Sequence, residues 1–163
     1  GRRSMVFDEF HAGQRLTCGP VTVTEAEIVA FANAYDPQWF HTDPVRAAEG
    51  RWGGLIASGW HTCAIGMRLV VDGVLRGSES FGSPGLEYVK WLAPVRPGDA
   101  LTMHADVLDA RRSERNPALG ILRWQWRIVN QAGVAVLDLV ATSLFDLAPR
   151  PAARSPQMAA DTR

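Results

Sequence analysis

The chain has 163 residues, 47% of them hydrophobic, with 17 basic and 17 acidic side chains and a formal net charge of zero. That length suits one domain with a real core, and that composition excludes a disordered chain. No basic run is present to attract a polyanion, so nucleic acid is not expected as a partner, and no apolar stretch approaches the length of a membrane span.

In chain order, Arg2 and Arg3 are followed by no apolar core, so no signal peptide is expected, and residues 1–4 read as loose. Patterning begins near Phe7, with a short strand ahead of the first helix. That helix is "TEAEIVAFANAY". Thr24 is its N-cap and Glu27, three residues on, completes a capping box. Ile28, Phe31, Ala32 and Tyr35 fall on one face. The helix must stop near Asp36, because Pro37 drives its predecessor out of the helical region.

Asp43-Pro44 opens a second, short helix through about Glu49, with aspartate at the cap and proline at the first helical position. Gly50, Gly53 and Gly54 break it. From Gly59 to Leu75 the chain is helical again and apolar nearly all round, Arg68 excepted, which predicts burial on most faces. Ser78 to Gly85 reads as a loop. Strands are expected over about 85–95, 99–111, 119–130 and 134–147. In the third, Leu122, Trp124, Trp126 and Ile128 alternate with Arg123, Gln125 and Arg127, a period of two with one buried face. "RPGD" (Arg96 to Asp99) and "NQAG" (Asn130 to Gly133) are turns. A tail over 149–163, rich in Pro, Ala and Arg, is expected to be disordered. The order is short strand, helix, loop, one long helix, then antiparallel strands: α+β, a single domain over residues 5–148 with a sheet wrapped around an apolar helix. Cys18 and Cys63 have no metal spacing and read as buried reduced thiols of a cytoplasmic protein.

Chemistry concentrates in "YDPQWFHTD" (Tyr35 to Asp43) and "GGLIASGWH" (Gly53 to His61). Asp36 and His41 stand five residues apart in a loop that can fold back, so that both reach one water among aromatic side chains. Such an acid-base pair contributes roughly 10²–10⁴-fold to a rate. The alternative is structural: Asp36 caps a turn begun by Pro37 and His41 is merely hydrogen-bonded. Asp43 already has a complete job as N-cap. In "IASGWH", the Gly59 amide at the positive end of a helix can hold a developing oxyanion, and Ser58 adds a hydroxyl; simple capping by either residue is the alternative. His61, in the first turn of a buried helix, is a rival base but reads as a core or pocket-wall histidine. His104 and His11 carry no supporting partners. Trp39, Trp52 and Trp60 cluster about the site, as core or as the wall of an acyl or aromatic pocket.

Taken together, "FANAYDPQWFHTDPVRAAEGRWGGLIASGWHTCAIGMRL" (Phe31 to Leu69) and "LEYVKWLAPVRPGDAL" (Leu86 to Leu101) resemble the MaoC-like dehydratases, which include the (R)-specific enoyl-CoA hydratases. That pattern runs D-x-N-P-x-H-x-D, then a short helix, then a glycine-containing entry to a central helix. The resemblance covers roughly residues 7 to 147. It implies a hot-dog fold, a homodimer or dimer of dimers joined sheet edge to sheet edge, and a substrate carried as an acyl-CoA or acyl-carrier thioester. By motif match, Asp36 and His41 take the catalytic positions and Gly59 that of the oxyanion-binding amide, with Ser58 beside it. The implied activity is reversible hydration of an enoyl thioester, with no metal and no cofactor, CoA entering only as part of the substrate.

This sequence departs from the pattern within the loop: Pro37 directly follows Asp36, Gln38 stands at the Asn position and Trp39 at the Pro position, where a bulky ring is expected to narrow the acyl pocket. No cluster of Lys and Arg marks a CoA phosphate site; Arg51 and Arg96 are the candidates. Three other readings remain: a thioesterase on the same fold, which usually places its carboxylate on the central helix, where here no acid precedes Asp72; a non-catalytic acyl-thioester binding module; and a structural dimerisation domain.

Overall fold

The computed structural model of the chain describes residues 5–149. The loose start expected at residues 1–4 and, but for Pro149, the tail expected over 149–163 lie outside the described residues.

Five antiparallel strands form one sheet in the order β1-β3-β4-β5-β2: β1 (Arg15–Thr22), β2 (Ser80–Trp91), β3 (Ala100–Arg112), β4 (Leu119–Val129) and β5 (Ala135–Asp146). The alternation in β4 sets the core. Leu122, Trp124 and Ile128 are fully buried and Trp126 nearly so, while the intervening residues face outward. Opposite them, Ala105 of β3 pairs with Trp126, and Leu139 of β5 pairs with the same residue from the other side. Each such large side chain contributes roughly 1.5–3 kcal/mol on burial. Phe7 and Phe10, flanking a single 3-10 turn, pack on Phe145 and Trp124 and close one end of this core.

The sheet curls around helix α4 (Gly59–Val70), the hot-dog arrangement, and the chain continues from α4 through one wider π-turn, Val71–Leu75. Gly66 lets the two approach: a Cβ there would stand 3.2 Å from Ile128 Cδ1 of β4. Two features depart from the sequence pattern. The helix is not buried on most faces. His61, Thr62, Gly66 and Val70 are buried, but Trp60 is 61% and Met67 43% exposed. In addition, β2 starts at Ser80 rather than 85 and ends at Trp91 rather than 95. The Ser-Gly-Pro segment joins the sheet through register shifts between Ser80 and Gly82, Gly82 and Gly85, and Leu86 and Tyr88. Bulges of this kind let poor strand formers pair at an edge, where a proline leaves no ladder bond broken.

Helices α1 (Glu25–Tyr35), α2 (Trp39–Thr42) and α3 (Pro44–Ala48) lie between β1 and α4 in sequence. The capping box of α1 is present in both directions between Thr24 and Glu27. Ile28 and Ala32 are buried as expected, but Tyr35 is 77% exposed and rests on the Phe31 ring. Asp43 caps α3 by accepting from the Arg46 amide at 3.1 Å.

Candidate active site

The site is built where α1 ends. Asp36 is the C-cap of α1, its amide donating to Ala32 O at 2.8 Å, and Pro37 stops the helix there. The chain reverses at once: the Gln38 amide donates to Asp36 O, and α2, a single turn not apparent from the sequence, follows. This turn brings His41 back beside Asp36, with Nε2 3.3 Å from Asp36 Oδ2. His41 is buried, and its Nδ1 lies 2.6 Å from the carbonyl of Ile56. A carbonyl can only accept, so Nδ1 carries the proton and Nε2 is the atom turned toward Asp36. The Ile56 amide in turn donates to Phe40 O at 3.2 Å, so the segment before α4 is stitched to α2.

Both carboxylate oxygens of Asp36 are held. Oδ1 accepts from Gln38 Nε2 at 2.7 Å and Oδ2 from Ser58 Oγ at 2.8 Å. Burial pushes the Asp36 carboxyl up, but the hydrogen bonds from Gln38 and Ser58 and the attraction of His41 outweigh it, and the carboxyl is held below its ordinary value. Asp36 is therefore a carboxylate at neutral pH.

Ser58, at the N-cap of α4, gives its hydroxyl to Asp36 and does not cap the helix. The first-turn amides, that of Gly59 foremost, are left without a side-chain acceptor at the positive helix end. Glycine is required at 59 for a reason the sequence did not reveal. A Cβ there would come within 2.6 Å of the Trp91 ring, and Trp91 Nε1 donates to Gly59 O at 2.8 Å. Asp36, His41 and Gly59 share one cavity of about 410 Å³, whose apolar wall includes Trp52, Trp60 and Trp91. Trp60 and Trp91 meet edge to face, centroids 5.3 Å apart. At the rim, Arg96 donates to Trp52 O at 2.6 Å.

The other sequence candidates lie elsewhere. Trp39 does not line this cavity: its ring packs on Gly50 and beneath the Arg46 guanidinium, 4.5 Å from the centroid, because α2 turns it away from His41. His61 is buried in a parallel stack on Phe31, centroids 4.7 Å apart, and is likewise absent from the cavity wall. Burial pushes its pKa down, against a smaller upward pull from Glu27. His104 does have a partner, Thr17 Oγ1 at 3.1 Å across β1 and β3, and His11 lies 3.3 Å from Ala12 O. Among the described residues, no three His, Cys, Asp or Glu side chains gather as a metal site, and no helix is long and apolar enough to cross a membrane. Gln38 as a ligand of Asp36, and Trp91, were not singled out from the sequence. Gln38 stands at the Asn position of the motif, a signal that was legible; Trp91 had none nearby.

A family model described as the MaoC like domain matches residues 8–121. The chain belongs to the MaoC-like dehydratase family. The YdeM protein of Bacillus subtilis (strain 168) is 34% identical to this MaoC-like domain over 134 residues, 82% of this chain and 94% of its own length. The 3-hydroxyacyl-thioester dehydratase Z of Mycobacterium tuberculosis (strain H37Rv) is 41% identical over 80 residues, 48% of this chain and 53% of its own. The crystal structure of a MaoC-like dehydratase from Rhodospirillum rubrum superposes with a TM-score of 0.80 at 36% identity, covering 88% of this chain and 97% of that one.

Proposed function

We propose that this MaoC-like domain reversibly hydrates an enoyl thioester, carried on CoA or an acyl carrier, to the 3-hydroxyacyl thioester. The observation that carries the reading is the pair itself: His41 Nε2 3.3 Å from Asp36 Oδ2, in the wall of the cavity that Gly59 also lines. Asp36 and His41 hold one water between them. The pair takes a proton from it as its oxygen bonds to Cβ. The double-bond electrons move toward Cα and the thioester oxygen, where the Gly59 amide stabilises the charge. The pair then returns the proton to Cα, so that one water is added in total.

Hydrolysis of the thioester, the second reading, would use the same amide but usually places its carboxylate on the central helix. The first acid there is Asp72, at the far end, exposed and paired with Arg68 and Arg76. A binding module needs the cavity but not two hydrogen bonds holding an ionised Asp36. The reading includes a cytoplasmic setting, in keeping with the cysteine usage.

The working unit in this reading is a homodimer. Strand β2 is an unpaired edge of the sheet in the single chain, and an edge of this kind is safest when paired. Light scattering at micromolar concentration is expected to give the dimer mass; a monomer mass would remove this part.

The direct test is a panel of trans-2-enoyl-CoAs, followed by loss of the conjugated thioester absorbance, with released thiol assayed in parallel. Hydration without thiol release is expected. Thiol release from saturated acyl-CoAs, with no hydration, would replace the reading by the thioesterase.

A further inference from the structure

The catalytic cavity is not alone on its side of α4. A second cavity, of about 590 Å³, is bounded by the same two elements, α4 and β2. It is bounded by Cys63, Ala64 and Met67 of the helix and by Phe81, Leu86 and Leu139 of the sheet, and no charged side chain lines it. The two cavities follow one another along both walls. On the helix, Gly59 and Trp60 line the first, and Cys63 and Ala64, one turn later, line the second. On β2 the first is lined by Trp91 and the second by Leu86, Gly82 and Phe81. Trp91, Leu137 opposite it, and then Leu139 and Ala141 follow the ladder from one to the other.

Trp91 stands at the boundary. Its indole covers Gly59 on one side, with the hydrogen bond to Gly59 O, and neighbours the half-buried Cys63 thiol, a lining residue of the second cavity. The edge of Trp60 braces it at 5.3 Å. The hydrogen bond to Gly59 and the edge contact with Trp60 thus hold a large planar side chain between the two cavities.

Resting on the hydration reading, we propose that Trp91 is the residue that limits acyl length: it closes the acyl end of the catalytic cavity, and the apolar cavity beyond it is an extension that only longer chains would enter if the indole were removed. The wild-type protein is then a short-chain enzyme. The occupant fits what lies beyond the indole, an uncharged cavity walled mainly by aliphatic and aromatic groups, with the Cys63 thiol and the hydroxyls of Ser80, Ser83 and Ser143. A hydrocarbon tail gains free energy with every methylene buried there, and a single methylene changes selectivity by roughly 10–200-fold at most.

The test compares wild type, Trp91→Ala and Trp91→Leu on crotonyl-, octenoyl- and dodecenoyl-CoA, reading the ratio of kcat/KM between substrates. A ratio is used because any loosening of Gly59 in these variants lowers all three rates together. Wild type is expected to prefer crotonyl-CoA over dodecenoyl-CoA by about tenfold or more, and the variants to shift that ratio toward dodecenoyl-CoA by about tenfold. Adding Ala64→Phe to the Trp91 variants, which refills the second cavity, is expected to cancel the shift. Calorimetric titration of butyryl- and lauroyl-CoA into the same proteins reads the length limit without turnover. A wild type that handles dodecenoyl-CoA as well as crotonyl-CoA, or variants with unchanged ratios, would overturn the role of Trp91 and leave hydration standing. A gain of lauroyl-CoA affinity in the variants, with no enoyl-CoA hydrated by any protein, would overturn hydration and leave Trp91 as the partition. Neither binding nor turnover of any thioester would overturn both.

Discussion

Ser58 donates its hydroxyl to Asp36 Oδ2 at 2.8 Å across 22 residues of sequence, while the helix it begins goes without a side-chain cap. The same oxygen faces His41 Nε2. One serine therefore serves two ends: it steadies the carboxylate and leaves the Gly59 amide open. Ser58→Ala removes a hydrogen bond to a charged group, about 1.5–3 kcal/mol. Turnover is expected to fall by about tenfold or more. Because that bond lowers the Asp36 pKa, its loss raises it, and the acid limb of the kcat/KM profile moves to higher pH. An unmoved limb would mean that Ser58 only packs.

Asp36→Asn keeps the shape and removes the carboxylate proposed to act as base. A loss of about 10²-fold or more in enoyl-CoA hydration is expected in the folded protein, and near-normal turnover would sink the assignment. The folded-state pKa of Asp36 lies below its unfolded value, so its contribution to stability is present above the unfolded pKa, ~3.9, and is lost as pH falls through the folded value. The melting temperatures of wild type and Asp36→Asn are therefore expected to differ in favour of wild type more at neutrality than at about pH 3.

His41→Ala and His61→Ala are expected to fail in different ways. In the proposed mechanism His41 meets the reacting water, so kcat and kcat/KM should drop together with KM little changed. His61 is buried and stacked on Phe31, and its removal should lower the melting temperature with modest kinetic change in the folded fraction. Steady-state kinetics beside melting curves separate the two. Abolished turnover in a well-folded His61→Ala protein, with His41→Ala active, would move the base onto α4.

Gly59→Ala places a methyl within 2.6 Å of the Trp91 indole. The backbone there is helical, so alanine is excluded by this contact alone. Overpacking of this kind costs roughly 1–3 kcal/mol. A lowered melting temperature is expected, together with reduced turnover, because the displaced atom is next to the amide proposed to hold the oxyanion. If the clash is the cause, Trp91→Leu added to Gly59→Ala recovers most of the melting temperature; no recovery would place the cause elsewhere.

What could be read from the sequence was decided within a few residues. Thr24 and Glu27 cap α1, Pro37 ends it and Asp43-Pro44 begins α3 because each acts on backbone groups no more than four positions away. The alternation of β4 marks its buried face for the same reason, and the five-residue interval from Asp36 to His41 suffices for one tight reversal. Other features required the folded molecule. That Ser58 and Gln38 both bind Asp36, that Trp91 lies on Gly59 from 32 residues away, and that Trp39 faces Gly50 instead of the cavity all depend on how α2, α4 and β2 are set against one another. No local rule carries that information. The exposed face of α4 follows the same logic: its residues are apolar on nearly every side, and only the position of the sheet determines which side is covered. The bulged entry of β2 is similar, since Gly82, Pro84 and Gly85 disfavour a strand locally and join one because β5 offers an unpaired edge.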